Sequence, residues 1–505
     1  MKKFFYMAVA TVAFLCSCTT DDDPVKNTPL ESPTETPIVP PTVFTASIDE
    51  PPSINEADSR VVITLDGYVK WEENDEISIN GKTYTAAASG VQVPFVGEGA
   101  TMVDGKYRVY FPAHIYKDPY HAILPAEYKY TKEHYEMPMY AESNTTRLCF
   151  KNLCSILTVQ VSWRDIDAIS SVTLFSDKQM NGEFTVDLED PNNEFLKFTE
   201  EPTWENQHVT IQCDSPEVLN EGESRVFHFT IPTQEDATLW VVVTGPNATK
   251  IMKTKEHAVT IRRSKYYSFM FGTKNSQTSC LPGEFSVSPT KKVHFSKSNL
   301  YWNGTPTDYK RYHFENNPTN HPTSRYYNYL GNFYWSSNID LACSPNGYYD
   351  ISATTDDKLF CDEEHKMTVD EEAGYYALSS EEWEYVTKRK TDASQTANPM
   401  CKLGVKVGNQ ENCMVIAPDG FVGELKAEYT LDEANALSLA CLPPTYIHDG
   451  AGGGERGRDF YEGFYWTADC DGTQATEAKS CYFNIWEAKT NQYPRRFGLA
   501  LRLVK

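Results

Sequence analysis

The chain has 505 residues, 13% of them aromatic, and a formal net charge of −24. That acidity repels nucleic-acid phosphates and excludes them as partners, while the length and aromatic content support two or three domains with large cores. Met1-Lys2-Lys3 and the apolar run 4–15 form a signal-type start too short to cross a bilayer as a mature helix. Leu15-Cys16-Ser17-Cys18 fits a lipobox, which predicts loss of residues 1–17 as a signal peptide and acylation of Cys18. Cys16 fits less well, because bulky Leu15 precedes it where a small residue is wanted. Residues 18–42, acidic and rich in Pro and Thr, cannot bury a core and read as a tether. No later segment is apolar enough to span a membrane, so a lipid anchor is the expected attachment. With Cys16 removed and Cys18 acylated, an odd number of the 13 cysteines remains, which excludes a complete disulfide framework. Cys149 and Cys154 read as small buried hydrophobes, and a Cys470–Cys481 bridge stays open. No CxxC, HExxH or spaced His and Cys set occurs, so no metal or cofactor is expected.

Residues 43–48, VFTASI, read as a first strand, followed by a Pro-rich acidic loop containing Arg60. Strand character resumes at 61–65, 69–72 and 75–79, and Asn80-Gly81 predicts a tight hairpin because both residues tolerate positive φ. Further strands are expected at 107–113 and 122–126. The run 146–163, TRLCFKNLCSILTVQVSW, alternates most regularly, with Leu153, Leu157, Val159, Val161 and Trp163 on one face. Short strands continue at 171–175, 182–188, 209–213, 226–231, 239–244 and 266–271, a spacing that favours a second antiparallel sandwich. Residues 275–284 read as a linker. Beyond it, 378–386 predicts a helix capped by Ser379 or Ser380, 431–437 a second, and 465–466, 481–486 and 499–504 strands.

WEENDEISING, YFPAHIY, ILPAEYKYT, MPMYAES and CFKNLCSILTV follow one another in the order seen in the fimbrillin family, the lipoprotein pilins of Gram-negative anaerobes. The acidic run after Cys18 is similar to the export signal of their surface lipoproteins. This resemblance implies a mainly β protein with two antiparallel β-sandwich pilin-like lobes, 43–165 and 166–274. LSSEEWEYV, CLPP, GFYWTA, CYFNIW and RRFGLALRLV resemble the C-type-lectin-like architecture shared with formylglycine-generating enzymes, which implies an α+β ligand-binding domain over 285–505. A trypsin-like cut at Arg60 would, by the fimbrillin likeness, free the first strand and let another pilin subunit donate one in its place.

No catalytic residues are expected. Formylglycine-generating enzymes bind copper through a close cysteine pair, whereas Cys470 and Cys481 lie eleven apart. Gly450 to Gly454 lacks the Lys-Ser or Lys-Thr of a phosphate cradle. Asp362-Glu363-Glu364-His365 could hold calcium but reads better as a solvated acidic loop. The expected ligand site lies at His448, Asp449, Arg456, Arg458, Tyr461, Trp466, Trp486, Tyr493, Arg495 and Arg496. There guanidinium forks suit carboxylate or sulfate groups and flat rings suit sugars or protein interfaces. A core role for the two tryptophans is the competing account. The whole reads as an outer-membrane surface lipoprotein acting as a fimbrial subunit, a tip adhesin for a glycan or protein ligand. The alternatives are a non-polymerising glycan-capture lipoprotein and, third, an oxidoreductase of the formylglycine-generating type.

Overall fold

Asn80 and Gly81 adopt φ of 45° and 85° and join Glu76–Ile79 to Lys82–Ala86, the two-residue turn that their side chains favour. This hairpin belongs to a computed structural model that describes residues 43–48, 53–54, 70–131, 137–253, 259–271, 277–302, 312–314, 332–336, 358–370, 372–388, 401–449, 454–456, 461–470 and 476–505. The expected signal peptide, Cys18, tether, Arg60 and Arg458 lie outside the described residues. Among the described residues the protein is mainly β.

The first sheet is a closed barrel, in place of the antiparallel β-sandwich lobe expected for 43–165. Its strands run Val43–Ile48, Arg147–Asn152, Met139–Ser143, Tyr107–Phe111, Glu76–Ile79, Lys82–Ala86 and Gln92–Gly97, and the last returns to the first. Closure depends on Val43–Ile48, which pairs in parallel with Arg147–Asn152 and antiparallel with Gln92–Gly97, so neither neighbour keeps a free edge there. Phe44 and Ala46 point inward and are fully buried, with Phe44 edge-on to Tyr84 and Tyr107 at 5.2 and 4.9 Å. Trp71 occupies the barrel interior among Phe95, Phe111 and Phe150.

The alternating run 146–163 is two strands, not one. Arg147–Asn152 stays in the barrel, while Ser155–Ser162 pairs with Ser224–Ile231 and Lys265–Met270 in another sheet. Ser53–Ile54 lines the far edge of that sheet. A six-stranded sheet faces it, ordered Gln277–Thr278, Thr249–Lys253, Leu239–Thr244, Ala168–Ser176, His208–Val218 and Glu127–Lys129. Val159, Val161, Leu174, Ile211, Phe227 and Val241 join in one apolar core between the two. The stretch read as a linker contributes Gln277–Thr278 to this sheet, and Leu281 is buried.

The remaining residues form small sheets with helices α1 (Ser380–Lys388) and α2 (Leu431–Ala436). Both helices begin on a reciprocal cap: Ser379 with Glu382, and Thr430 with Glu433. This part is not hung on a flexible joint. Phe175, Trp204, Val242 and Ile251 from the six-stranded region share one core with Leu281, Phe285, Trp383, Met414 and Tyr465. Polar contacts reinforce the seam: Trp204 Nε1 donates to the Leu437 carbonyl at 2.9 Å, and Asn435 Nδ2 donates to the Thr244 and Thr249 hydroxyls at 3.2 and 3.1 Å. Asp432 accepts from Ser171 and Gln212, and Lys297 Nζ donates to the Thr249 carbonyl at 3.0 Å.

Gly463 pairs with Phe483, and a Cβ there would lie 2.1 Å from the Phe483 ring, which is fully buried and cannot swing out. Gly463→Ala is therefore expected to lower stability by about 1–3 kcal/mol, measured as a shift in the urea midpoint.

Candidate functional site

The backbone of His448 and Asp449 lies in the strand Ile447–Asp449, which forms a hairpin with Gly454–Arg456. The same strand pairs with Phe497–Gly498, setting His448 opposite Gly498 and Asp449 opposite Phe497. The strands Ile447–Asp449 and Gly454–Arg456 thus lie beside the stretch that follows Arg495-Arg496. The side chains of His448, Asp449 and Arg456 lie outside the described residues.

Two expected ligand residues belong to the core. Trp466 is fully buried and donates its Nε1 hydrogen to the Phe333 carbonyl at 2.6 Å. Arg495 is 2% exposed, with its guanidinium 4.4 Å above the Trp335 ring and an N–H directed at the Cys470 sulfur at 3.2 Å. Neither side chain is open to a ligand, because Gly463–Trp466 is covered on both faces and Arg495 turns inward beside Trp335. Tyr493 is half-buried against Phe464 and Phe497, and burial raises its pKa. Arg496 is exposed, its guanidinium over the Phe497 ring at 5.5 Å.

Trp486 and Tyr461 stand elsewhere. Trp486 caps the turn between Glu477–Phe483 and Ala488–Pro494, whereas Arg495 and Arg496 follow the far end of the second strand. Seven extended residues separate those ends by roughly 20 Å. The expected single site therefore divides into two. Tyr461 precedes Gly463, which pairs with Phe483, so it falls at the Trp486 end.

At that end Trp486 is 80% exposed. Its turn is fixed: Asn484 Oδ1 accepts from the Trp486 and Glu487 backbone N–H groups at 2.8 and 2.9 Å, and Asn484 N–H donates to the Glu487 carbonyl. Ile485 packs over Gly404, whose φ of 69° suits the close approach of that strand. The Tyr482 hydroxyl donates to Glu462 at 2.6 Å and accepts from Asn484 Nδ2 at 2.9 Å. Burial, then the Glu462 carboxylate, pushes this phenol up to about 12, so it remains protonated. Lys489 pairs with Glu487 at 2.6 Å and lies 5.4 Å from the Tyr482 ring. Glu462, Tyr482, Asn484 and Lys489 were not expected as site residues. The signal available was Asn484 itself, an Asn placed two residues before a Trp between two alternating runs, where it marks a turn.

The acidic loop 362–365 is occupied by the protein's own groups. Asp362 accepts from the backbone N–H groups of Glu364 and His365 and from the His365 ring, Glu363 pairs with Lys291, and Glu364 with Lys358. Cys470 and Cys481 belong to different core clusters. Cys481 lies beside Cys401, and burial holds its thiol well above the ordinary range.

No family model matches the chain, and no curated protein does. Three solved structures, each named for a proposed role in cell adhesion, show partial similarity. One from Bacteroides ovatus is 10% identical at a TM-score of 0.27, covering 48% of this chain and 95% of its own. One from Bacteroides thetaiotaomicron is 14% identical at 0.22, covering 46% and 94%. One from Bacteroides fragilis is 11% identical at 0.22, covering 45% and 91%. Similarity at these TM-scores assigns neither fold nor function.

Proposed function

We propose that this chain is a non-catalytic, lipid-processed surface adhesin of the fimbrillin type, with a barrel-shaped first pilin lobe, a sandwich-like second lobe and a lectin-like ligand-binding part over 285–505. The observation that carries the reading is the lodging of Val43–Ile48 between two barrel strands, with Ser53–Ile54 on the Lys265–Met270 edge. A cut at Arg60 would release both strands and open two edges that another subunit's strand could fill. Leu503–Val504 is buried and pairs with Tyr376–Ala377, so it is not free to act as that donor. A subunit that accepts a strand without giving this one suits a tip position, with Cys18 acylation holding the precursor to the outer membrane.

Arg60→Ala is expected to leave the subunit at full size and outside fibres, measured by immunoblot and electron microscopy. An unchanged subunit size and normal fibre content would overturn the processing step. Immunogold label along whole fibres rather than at their ends would overturn the tip position. A non-polymerising glycan-capture lipoprotein is the second reading. The closed barrel favours it, because the unprocessed form offers no edge beside Val43–Ile48.

A further inference from the structure

We infer that the turn carrying Trp486 is a binding site for neutral saccharides, with Trp486 as the stacking platform and Glu462, Asn484 and Glu487 as hydroxyl partners. The inference deepens the adhesive reading, and rests on it for its biological use, by naming the ligand class and moving recognition away from the arginines.

Three observations meet at this turn. The first is exposure: tryptophan is normally well buried, yet Trp486 is 80% exposed, and among the described residues its indole has no hydrogen-bond or ring partner. The second is rigidity. Asn484 clamps the two N–H groups at the tip, and Ile485 anchors the turn on Gly404, so the ring is presented by a backbone already ordered before any ligand arrives. The third is the surrounding chemistry. Glu462, Tyr482, Asn484, Glu487 and Lys489 form a polar group at the same end of the sheet, offering carboxylate acceptors and the second Nδ2 hydrogen of Asn484 as a donor.

A pyranose has matching parts: a C–H face that packs on an aromatic ring, and a rim of hydroxyls that both donate and accept. The charge at the turn selects among sugars. Glu462 and Glu487 supply two carboxylates, and the nearby Lys489 ammonium is already paired with Glu487. In a chain of net charge −24, uronic, sialic or sulfated units would meet repulsion there, whereas neutral units would not. Tyr461, 48% exposed at the same end of the sheet, offers a second ring for a neighbouring unit.

The test is affinity gel electrophoresis of the full chain through yeast mannan and a neutral galactan, with polygalacturonate and heparin as acidic controls. Retardation is expected in at least one neutral gel. Trp486→Ala should weaken it by about tenfold, with Trp486→Tyr retaining most of it and Glu462→Gln weakening it while the melting temperature holds. Four results would overturn the inference: no retardation in either neutral gel, equal retardation of Trp486→Ala, loss of retardation in Trp486→Tyr equal to that in Trp486→Ala, or stronger retardation in the acidic gels. The outcome separates from the assembly reading. A chain that never enters fibres yet loses mannan or galactan retardation with Trp486→Ala keeps this site and loses the fimbrial proposal.

Discussion

Replacing Trp71 by Ala is expected to destabilise the barrel by about 3–5 kcal/mol, a large share of the about 5–15 kcal/mol that holds an ordinary domain folded. The indole is 1% exposed and meets Phe95, Phe111 and Phe150 edge-on, with ring centroids 5.0, 5.1 and 5.0 Å away. Those rings come from Gln92–Gly97, from Tyr107–Phe111 and from Arg147–Asn152, so one side chain ties together strands distant in sequence. Removing it leaves a cavity walled by aromatic rings held in strands, which cannot collapse inward cheaply. Trp71→Phe should cost much less, since the buried Nε1 makes no hydrogen bond that the change would remove. Urea unfolding followed by near-ultraviolet circular dichroism measures both. A loss below about 1 kcal/mol for Trp71→Ala would show that the ring does not hold the barrel together.

The second large effect concerns pH. Lys297 is wholly buried, and among the described residues no carboxylate lies within ion-pair distance of its ammonium, which donates to the Thr249 carbonyl. Burial, then the nearby charge of Lys250, lowers its pKa from 10.5 to about 8. Below pH 8 both folded and unfolded chains carry the proton, and the full cost of burying the charge is present. Between pH 8 and 10.5 the unfolded chain holds more protons than the folded one, so this residue's contribution to stability rises with pH. The rise should be of the order of 3 kcal/mol across that window. Lys297→Met removes the charge at every pH. Its stability relative to the parent chain should therefore be most favourable below pH 8 and fall by about that amount by pH 10.5. A difference that stays flat with pH would mean that Lys297 binds protons with its ordinary affinity.

Local chemistry made much of the chain readable. VFTASI, the Asn80-Gly81 turn, the strands near 226–231 and 239–244 and both capped helices follow from alternation, positive φ and reciprocal caps. Closure of the barrel was hidden because it depends on pairing Val43–Ile48 with Arg147–Asn152, about a hundred residues away. The run 146–163 misled because side-chain alternation continues unbroken while the chain passes from one sheet to another at Leu153-Cys154. At the candidate site, Trp466 and Trp486 look alike in sequence, each within three residues of a Phe-Tyr or Tyr-Phe pair. What separates them is that Trp466 lies within a strand covered on both faces and Trp486 just beyond one, in a turn set by Asn484. Burial of Arg495 depended on Trp335, far away in the chain.

The core shared by Phe175, Trp204, Val242 and Ile251 with Phe285, Trp383 and Tyr465 has a mechanical meaning. A load applied at the Trp486 turn would not be taken up by a compliant tether between 277 and 284, because Gln277–Thr278 is a sheet strand and Leu281 is buried core. The force would pass through interlocked side chains into the six-stranded sheet. The lifetime of an attachment under tension would then be governed by how fast this joined body unfolds, not by how far a linker stretches.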